Sequence, residues 1–229
     1  MQPCQHVSPR KRSGGFAFVD QMNGMTFYSQ AAQDKFVYGV LYGLLDKQDQ
    51  GYYLEIGAGE PIYINNTYFF EKNLQWKGTS VDISLNLVQS WDLERNNLLL
   101  IEDATKADYE AILDSFPEVI DYLSLDIDDF YTEVLERIPF NNHIFKIITI
   151  EHDAYRYGDL HRDKERQFLS AQGYYMLCSN VNNFEDWWIH PSAFPSSVFS
   201  ALESLDMDEK HHSQLTQILQ DIIRQGAEN

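Results

Sequence analysis

Cysteine is nearly missing from this chain. Its two, Cys4 and Cys178, lie in a polar tail and in an apolar strand-like run. That is no disulfide framework, and it fits a reducing compartment. Basic charge is scarce as well: 17 Lys and Arg stand against 35 Asp and Glu, a formal net charge of −18. The imbalance works against binding phosphate backbones, which need clustered cations, and against anionic membrane surfaces. Arg10-Lys11-Arg12 is a local basic run, and ordinary charge patterning reads it as part of a solvated tail. No apolar run approaches the length of a membrane span. The first residues lack the apolar segment of a secretory signal. Internal repeats and low-complexity tracts are missing too. The expectation is a cytoplasmic, soluble protein with no nucleic-acid or membrane partner. Its 229 residues suit one αβ domain with some elaboration.

What is present is an alternation of strand-like and helix-like runs. Residues 1–28 read as a lead-in, with a short extended piece at 16–19. Apolar residues at helical spacing mark a helix between 30 and 45. Strands follow at 52–56, 79–83, 98–101, 122–127 and 144–150, with helices near 61–74, 85–95, 106–116 and 131–137 between them. A charged helix at 159–171 precedes strands at 174–178 and 187–189, which have no helix between them. The expected fold is therefore α/β. It is a Rossmann-like, mostly parallel seven-stranded sheet with a terminal antiparallel hairpin and helices on both faces, the class I methyltransferase pattern. Residues 29–200 form that domain. Residues 201–229 read as a C-terminal helix whose apolar stripe, Leu215, Ile218, Leu219 and Ile222, packs back on the domain or joins two copies as a homodimer.

The ligand of such a sheet sits at the carboxyl ends of its strands. Tyr52-Tyr53-Leu54-Glu55-Ile56 runs into Gly57-Ala58-Gly59-Glu60, a tight turn that lets a nucleoside cofactor approach the backbone. The second strand ends in Asp82-Ile83, where a carboxylate can accept both hydroxyls of a ribose. Asp103-Ala104 follows the third strand, and Asp103, before Glu102, is the candidate for an adenine amino group. A helix-capping role is the plain alternative for Asp82 and Asp103. The third glycine of a dinucleotide fingerprint is missing. Pro61 and Asn65-Asn66-Thr67 occupy that region, and Glu60 would repel a pyrophosphate. A sulfonium cofactor has no phosphate and carries positive charge, so an acidic rim favours S-adenosyl-L-methionine. Glu55 and residues 57–60 would border its methionine part.

Two acidic clusters end neighbouring strands: Asp126-Ile127-Asp128-Asp129 and Glu151-His152-Asp153. Methylation of an alcohol requires removal of the hydroxyl proton, and histidine is the natural base at neutral pH. His152 is the first candidate, with Asp126 or Glu151 orienting it, and a loop histidine is the plain alternative. Asp126, Asp128 and Glu151 also offer hard oxygen ligands for Mg2+. Asn182, Glu185, Asp186 and Trp187, with Asp129, form a polar and aromatic set for an acceptor such as a sugar. The plain alternative there is a turn beside a core tryptophan.

With these residues in view, the chain resembles the FkbM-like family of S-adenosylmethionine-dependent methyltransferases from about residue 29 to 191. The blocks are Ser29-Gln30-Ala31-Ala32-Gln33-Asp34, the Leu54–Gly59 run followed by Asn66-Thr67, and Trp76-Lys77-Gly78 leading to Asp82. Leu123-Ser124-Leu125-Asp126-Ile127-Asp128 and Ile150-Glu151-His152 with Asn182-x-Phe184-Glu185-Asp186-Trp187 complete them. Many relatives have Glu-Pro where this chain has Asp82-Ile83, and Gly where it has Asp129. The resemblance implies O-methylation of a sugar, glycan or similar small-molecule hydroxyl. It also implies that Gln30, Gln33, Asp34, Asn66 and Thr67 lie near the cofactor. Competing readings are methylation of a nucleic-acid hydroxyl, disfavoured by the charge, a non-catalytic binding module, and a nicotinamide oxidoreductase.

Overall fold

A computed structural model describes residues 20–22, 24–128 and 130–227. The basic run at 10–12, Cys4, the piece expected at 16–19 and Asp129 lie outside the described residues. The described residues open with an antiparallel hairpin, β1 (Asp20–Met22) and β2 (Met25–Phe27), which the sequence reading missed. Helix α1 (Gln33–Tyr38) continues into a π-helical segment, Gly39–Leu44. The alternating units are β3 (Tyr52–Ile56), α2 (Tyr68–Leu74), β4 (Lys77–Asp82), α3 (Val88–Glu94), β5 (Leu98–Ile101), α4 (Tyr109–Leu113), β6 (Val119–Leu125), α5 (Tyr131–Arg137) and β7 (Ile144–Glu151). They are followed by α6 (Ala154–Tyr157), α7 (Asp159–Ala171), β8 (Tyr175–Val181), β9 (Glu185–Ile189), α8 (Ser196–Glu203) and α9 (His212–Ala227).

Seven strands form one sheet in the order β5-β4-β3-β6-β7-β9-β8. Strands β3 to β7 are mutually parallel, and β9 lies antiparallel between β7 and β8. This is the Rossmann-like sheet of class I methyltransferases. The order reverses between β3 and β6, so their carboxyl ends diverge and open a crevice. The parallel strands are nearly continuous apolar runs because helices cover both faces. One core cluster gathers Phe36, Phe69, Trp76 and Trp187, and the other gathers Tyr109, Tyr131, Phe145 and Trp188. Trp187 and Trp188 are adjacent in β9 and point to opposite faces, as a period of two requires. Both are buried, because β9 is an inner strand with both faces covered.

The C-terminal helix starts later than residue 201. α8 ends at Glu203 and α9 starts at His212. Leu215 and Leu219 of α9 are buried in the first cluster, so the helix packs back on the domain, against α1 and the π-helical segment. Gly43 permits that approach, since a Cβ there would stand 2.3 Å from Ile223 Cδ1. Among the described residues no helix is long and apolar enough to cross a membrane.

Candidate active site

The crevice begins at the end of β3. The Gly57 and Ala58 N–H groups donate to the Val81 carbonyl at 2.9 and 3.3 Å, and Asp126 N–H donates to Ile56 at 2.8 Å. Gly57 has φ +84°, and a Cβ built on it would lie 1.8 Å from the Asp126 carbonyl oxygen. Only glycine fits where β3 and β6 part. Gly59, at φ +59°, has nothing within 4 Å of its missing Cβ. Its N–H donates to Asp82 Oδ2 at 2.9 Å, while Asp82 Oδ1 accepts from Ser84 N–H at 2.8 Å. Asp82 therefore joins two turns and keeps lone pairs on both oxygens.

The cleft these turns enclose has a volume of about 640 Å³. Gln30, Gly57, Ala58, Gly59, Glu60, Asp82, Ile83, Asp103, Ala104, Asp126, Asp128 and Glu151 line it, which brings most of the expected site residues together. Asp103 also caps its turn: it accepts from Thr105 N–H at 3.0 Å and from Lys106 Nζ at 2.6 Å. Lys106, then Thr105, hold its carboxyl down to about 2. Burial pushes Glu151 up to about 10, with Asp126 adding to it, and pushes Asp126 up to about 6. The neighbouring carboxyls act on each other in opposite senses: Asp126 favours the protonated form of Glu151, and Glu151 favours the ionised form of Asp126.

Several expected residues do not reach the cleft. His152 is 1% exposed; its Nδ1 accepts from Ala154 N–H at 3.1 Å, and its Nε2 lies 3.6 Å from Asp186 Oδ1. Just past the end of β7 it is buried toward Asp186 of β9 and does not line the cleft. Asp186 is buried and accepts both Arg166 Nε and Nη2, at 2.6 and 2.9 Å. Glu185, which burial pushes up to about 8, accepts from Gln33 and from Trp187 Nε1. Asn182 bonds His212. Of the acceptor set expected at Asn182, Glu185, Asp186 and Trp187, the last three are thus buried scaffolding, and half-buried Asn182 joins its turn to the start of α9. Asp34 accepts from the N–H groups of Tyr28 and Ser29 at 2.6 and 3.2 Å, as a buried loop anchor. Glu55 accepts from Ser80 Oγ at 2.6 Å, Asn66 donates to Ser124 Oγ at 3.0 Å, and Thr67 accepts from Arg95 at 2.9 Å. All three stand behind the cleft wall.

The proposed ligand set for Mg2+ is also corrected. Among the described residues, no group of three or more His, Cys, Asp or Glu side chains is placed to hold a metal ion. Asp128 sits exposed on a turn at φ +41°, past the end of β6.

Sequence reasoning missed two groups. Arg95 is 5% exposed and bonds Glu71 (2.6 Å), Tyr53 (2.8 Å), Thr67 (2.9 Å), Asn65 (3.1 Å) and the Pro61 carbonyl (3.1 Å). Asn65 in turn donates to the Ala58 carbonyl at 3.0 Å. This buried cation ties the loop after β3 to the glycine turn. Tyr63, Ile64 and Phe130 line the cleft while roughly half exposed, at 49%, 47% and 51%. Ile64 holds φ +47°, a strained value for a β-branched residue. No spacing rule marks an arginine at a helix end as buried. The exposed apolar residues read as ordinary loop.

No family model matches this chain, and no curated protein does either. Among solved structures it is similar to the S. pombe Dnmt2 methyltransferase, at 14% identity and TM-score 0.43 over 61% of this chain and 49% of that one. It is similar to precorrin-6y C5,15-methyltransferase from Geobacter metallireducens GS-15, at 15% identity and TM-score 0.42 over 61% of this chain and 70% of that one. The plantazolicin methyltransferase BpumL in complex with SAH aligns at 15% identity and TM-score 0.38, over 75% of this chain and 60% of that one. The chain spans about half the length of the first of these.

Proposed function

We propose that the protein is an S-adenosylmethionine-dependent O-methyltransferase acting on a hydroxyl of a sugar or glycan. The observation that carries this reading is the junction of Gly59 and Asp82. An open glycine turn at the point where the strand order reverses is bonded to a carboxylate that ends the next strand. That pairing suits a ribose beside a backbone that ligand atoms can approach. The seven acidic side chains on the lining leave it net negative, which would repel a pyrophosphate and fits a sulfonium. The resemblance to the FkbM-like family points the same way.

When bound, S-adenosylmethionine would supply an electrophilic methyl carbon. Asp82 would hold the ribose hydroxyls, Gly57, Ala58, Gly59 and Glu60 the amino-acid part, and Ile83, Asp103 and Ala104 the adenine end. The chain's own chemical task is to take the hydroxyl proton as the new C–O bond forms. The Asp126–Glu151 pair replaces His152 in that role. Both residues line the cleft, and an ionised carboxylate of the pair would accept the hydroxyl proton.

Calorimetric titration with S-adenosylhomocysteine, with and without magnesium, tests the cofactor part. Saturable binding is expected, with no dependence on magnesium. Asp82→Asn is expected to weaken it by roughly 10- to 100-fold, the worth of hydrogen bonds to a charged group. Absence of binding to folded protein would leave a non-catalytic module or another cofactor as the better account.

A further inference from the structure

We propose that the methyl acceptor is a hydroxylated amine, a molecule that brings a protonated amino group and an apolar face into the cleft beside its reacting hydroxyl. The inference rests on the cofactor reading above and concerns the half of the cleft that the cofactor leaves open.

The sheet order divides the cleft. Asp82 and Asp103 end β4 and β5, on one side of the reversal point, and would take the adenosine half. Asp126, Asp128 and Glu151 follow β6 and β7 on the other side, where the acceptor must sit. Among the described residues, no Lys, Arg or His lines the cleft. Asp103 has Lys106 as its ion-pair partner. Among the described residues, none of Glu60, Asp82, Glu102 or Asp128 has such a partner at all. The cofactor brings one net positive charge, from its ammonium and sulfonium against its carboxylate. The Asp126–Glu151 pair and Asp128 still leave the acceptor side negative. A phosphate or carboxylate there would meet like charge in a partly desolvated site, and an ammonium would meet complementary charge.

The second feature is the apolar rim. Tyr63 and Ile64 rise from the loop after β3, and Phe130 from the loop after β6. These same loops supply Gly57 and Asp126. The three side chains line the cleft about half exposed and offer a surface for the C–H face of a sugar ring or an aglycone. The carboxylates and the rim together select a cationic, amphipathic acceptor. They exclude nucleotide-linked sugars and acidic glycans.

The test uses the full chain saturated with S-adenosylhomocysteine. It is titrated with phenyl 2-amino-2-deoxyglucoside, the matched N-acetyl glucoside, and the 6-phosphate of the amine. The amine is expected to bind at least about tenfold more tightly than the N-acetyl compound, with the phosphate weakest. The preference should shrink at 0.5 M salt. Asp128→Asn should reduce it by about three- to tenfold, with retained S-adenosylhomocysteine binding reporting an intact fold. Equal or tighter binding of the N-acetyl or phosphate compound overturns the inference, and so does failure of the amine to bind. Failure of S-adenosylhomocysteine itself overturns the cofactor reading instead, so the two failures are distinguishable.

Discussion

Two glycines two residues apart in one turn should respond to the same substitution in opposite ways. Gly57 and Gly59 both hold positive φ, at +84° and +59°. An alanine at either position pays roughly 1–2 kcal/mol for the left-handed backbone. At Gly59 little else follows, because nothing lies within 4 Å of the new Cβ. At Gly57 the new Cβ would lie 1.8 Å from the Asp126 carbonyl oxygen and 2.7 Å from Ile127 Cγ2. The obstacle is backbone, which has no rotamer to change. The ends of β3 and β6 must separate, adding about 1–3 kcal/mol of overpacking. Gly57→Ala is therefore expected to lose about 2–5 kcal/mol, or roughly 5–15 °C in Tm for a chain of this size. Gly59→Ala should lose only about 2–6 °C. Thermal unfolding followed by circular dichroism without ligand measures this. Titration with S-adenosylhomocysteine completes the contrast: Gly59→Ala should fold and bind poorly, since its methyl occupies space the cofactor needs. Equal losses of Tm in the two variants would refute the close approach of β3 and β6 as the reason for Gly57.

Arg95→Met should cost about 3–5 kcal/mol in urea unfolding, since it leaves the buried Glu71 carboxylate without its cation; a loss under about 1 kcal/mol would contradict the hub role. Glu151→Gln has a definite sign with pH. Glu151 is raised from its ordinary 4.5 to about 10. The wild type is thus at its best below 4.5, and this contribution is lost as pH rises toward 10. The Tm of the variant relative to wild type should climb between pH 5 and pH 9, while methyl transfer is lost; a flat difference would show that the carboxyl is not held protonated. Asp186→Asn should destabilise by about 1–3 kcal/mol by weakening the two bonds from Arg166, yet leave S-adenosylhomocysteine affinity within about twofold. A large loss of affinity would return Asp186 to the site.

Much of the molecule was legible in one dimension. β3, β5 and α5 stand where hydrophobic runs and their turn residues place them, at Tyr52–Ile56, Leu98–Ile101 and Tyr131–Arg137. Gly57, Gly59, Asp82 and Asp103 reach the cleft because each lies at or just past a strand's carboxyl end, a position set by local pattern and by the parallel order of the sheet. These features depend on residues close in sequence, so spacing alone reveals them.

Burial was not legible in that way. Asp126, Glu151, His152 and Asp186 all lie at or near the ends of the sheet and look alike as polar residues, yet the first two line the cleft and the last two face inward. The side on which each falls depends on β9 inserting between β7 and β8 and on α7 bringing Arg166 to Asp186. The same insertion buries both Trp187 and Trp188. Arg95 becomes the hub of the loop after β3 only because α3 delivers it to Glu71, Tyr53 and Thr67, which lie 24, 42 and 28 residues away in sequence. The sequence by itself determined the αβ alternation, the glycine turn and the acidic strand ends, because local propensity and side-chain period encode them. Tertiary packing decided which carboxylates meet the cleft and which become scaffolding. Desolvation and long-range pairing act between residues that no short pattern connects.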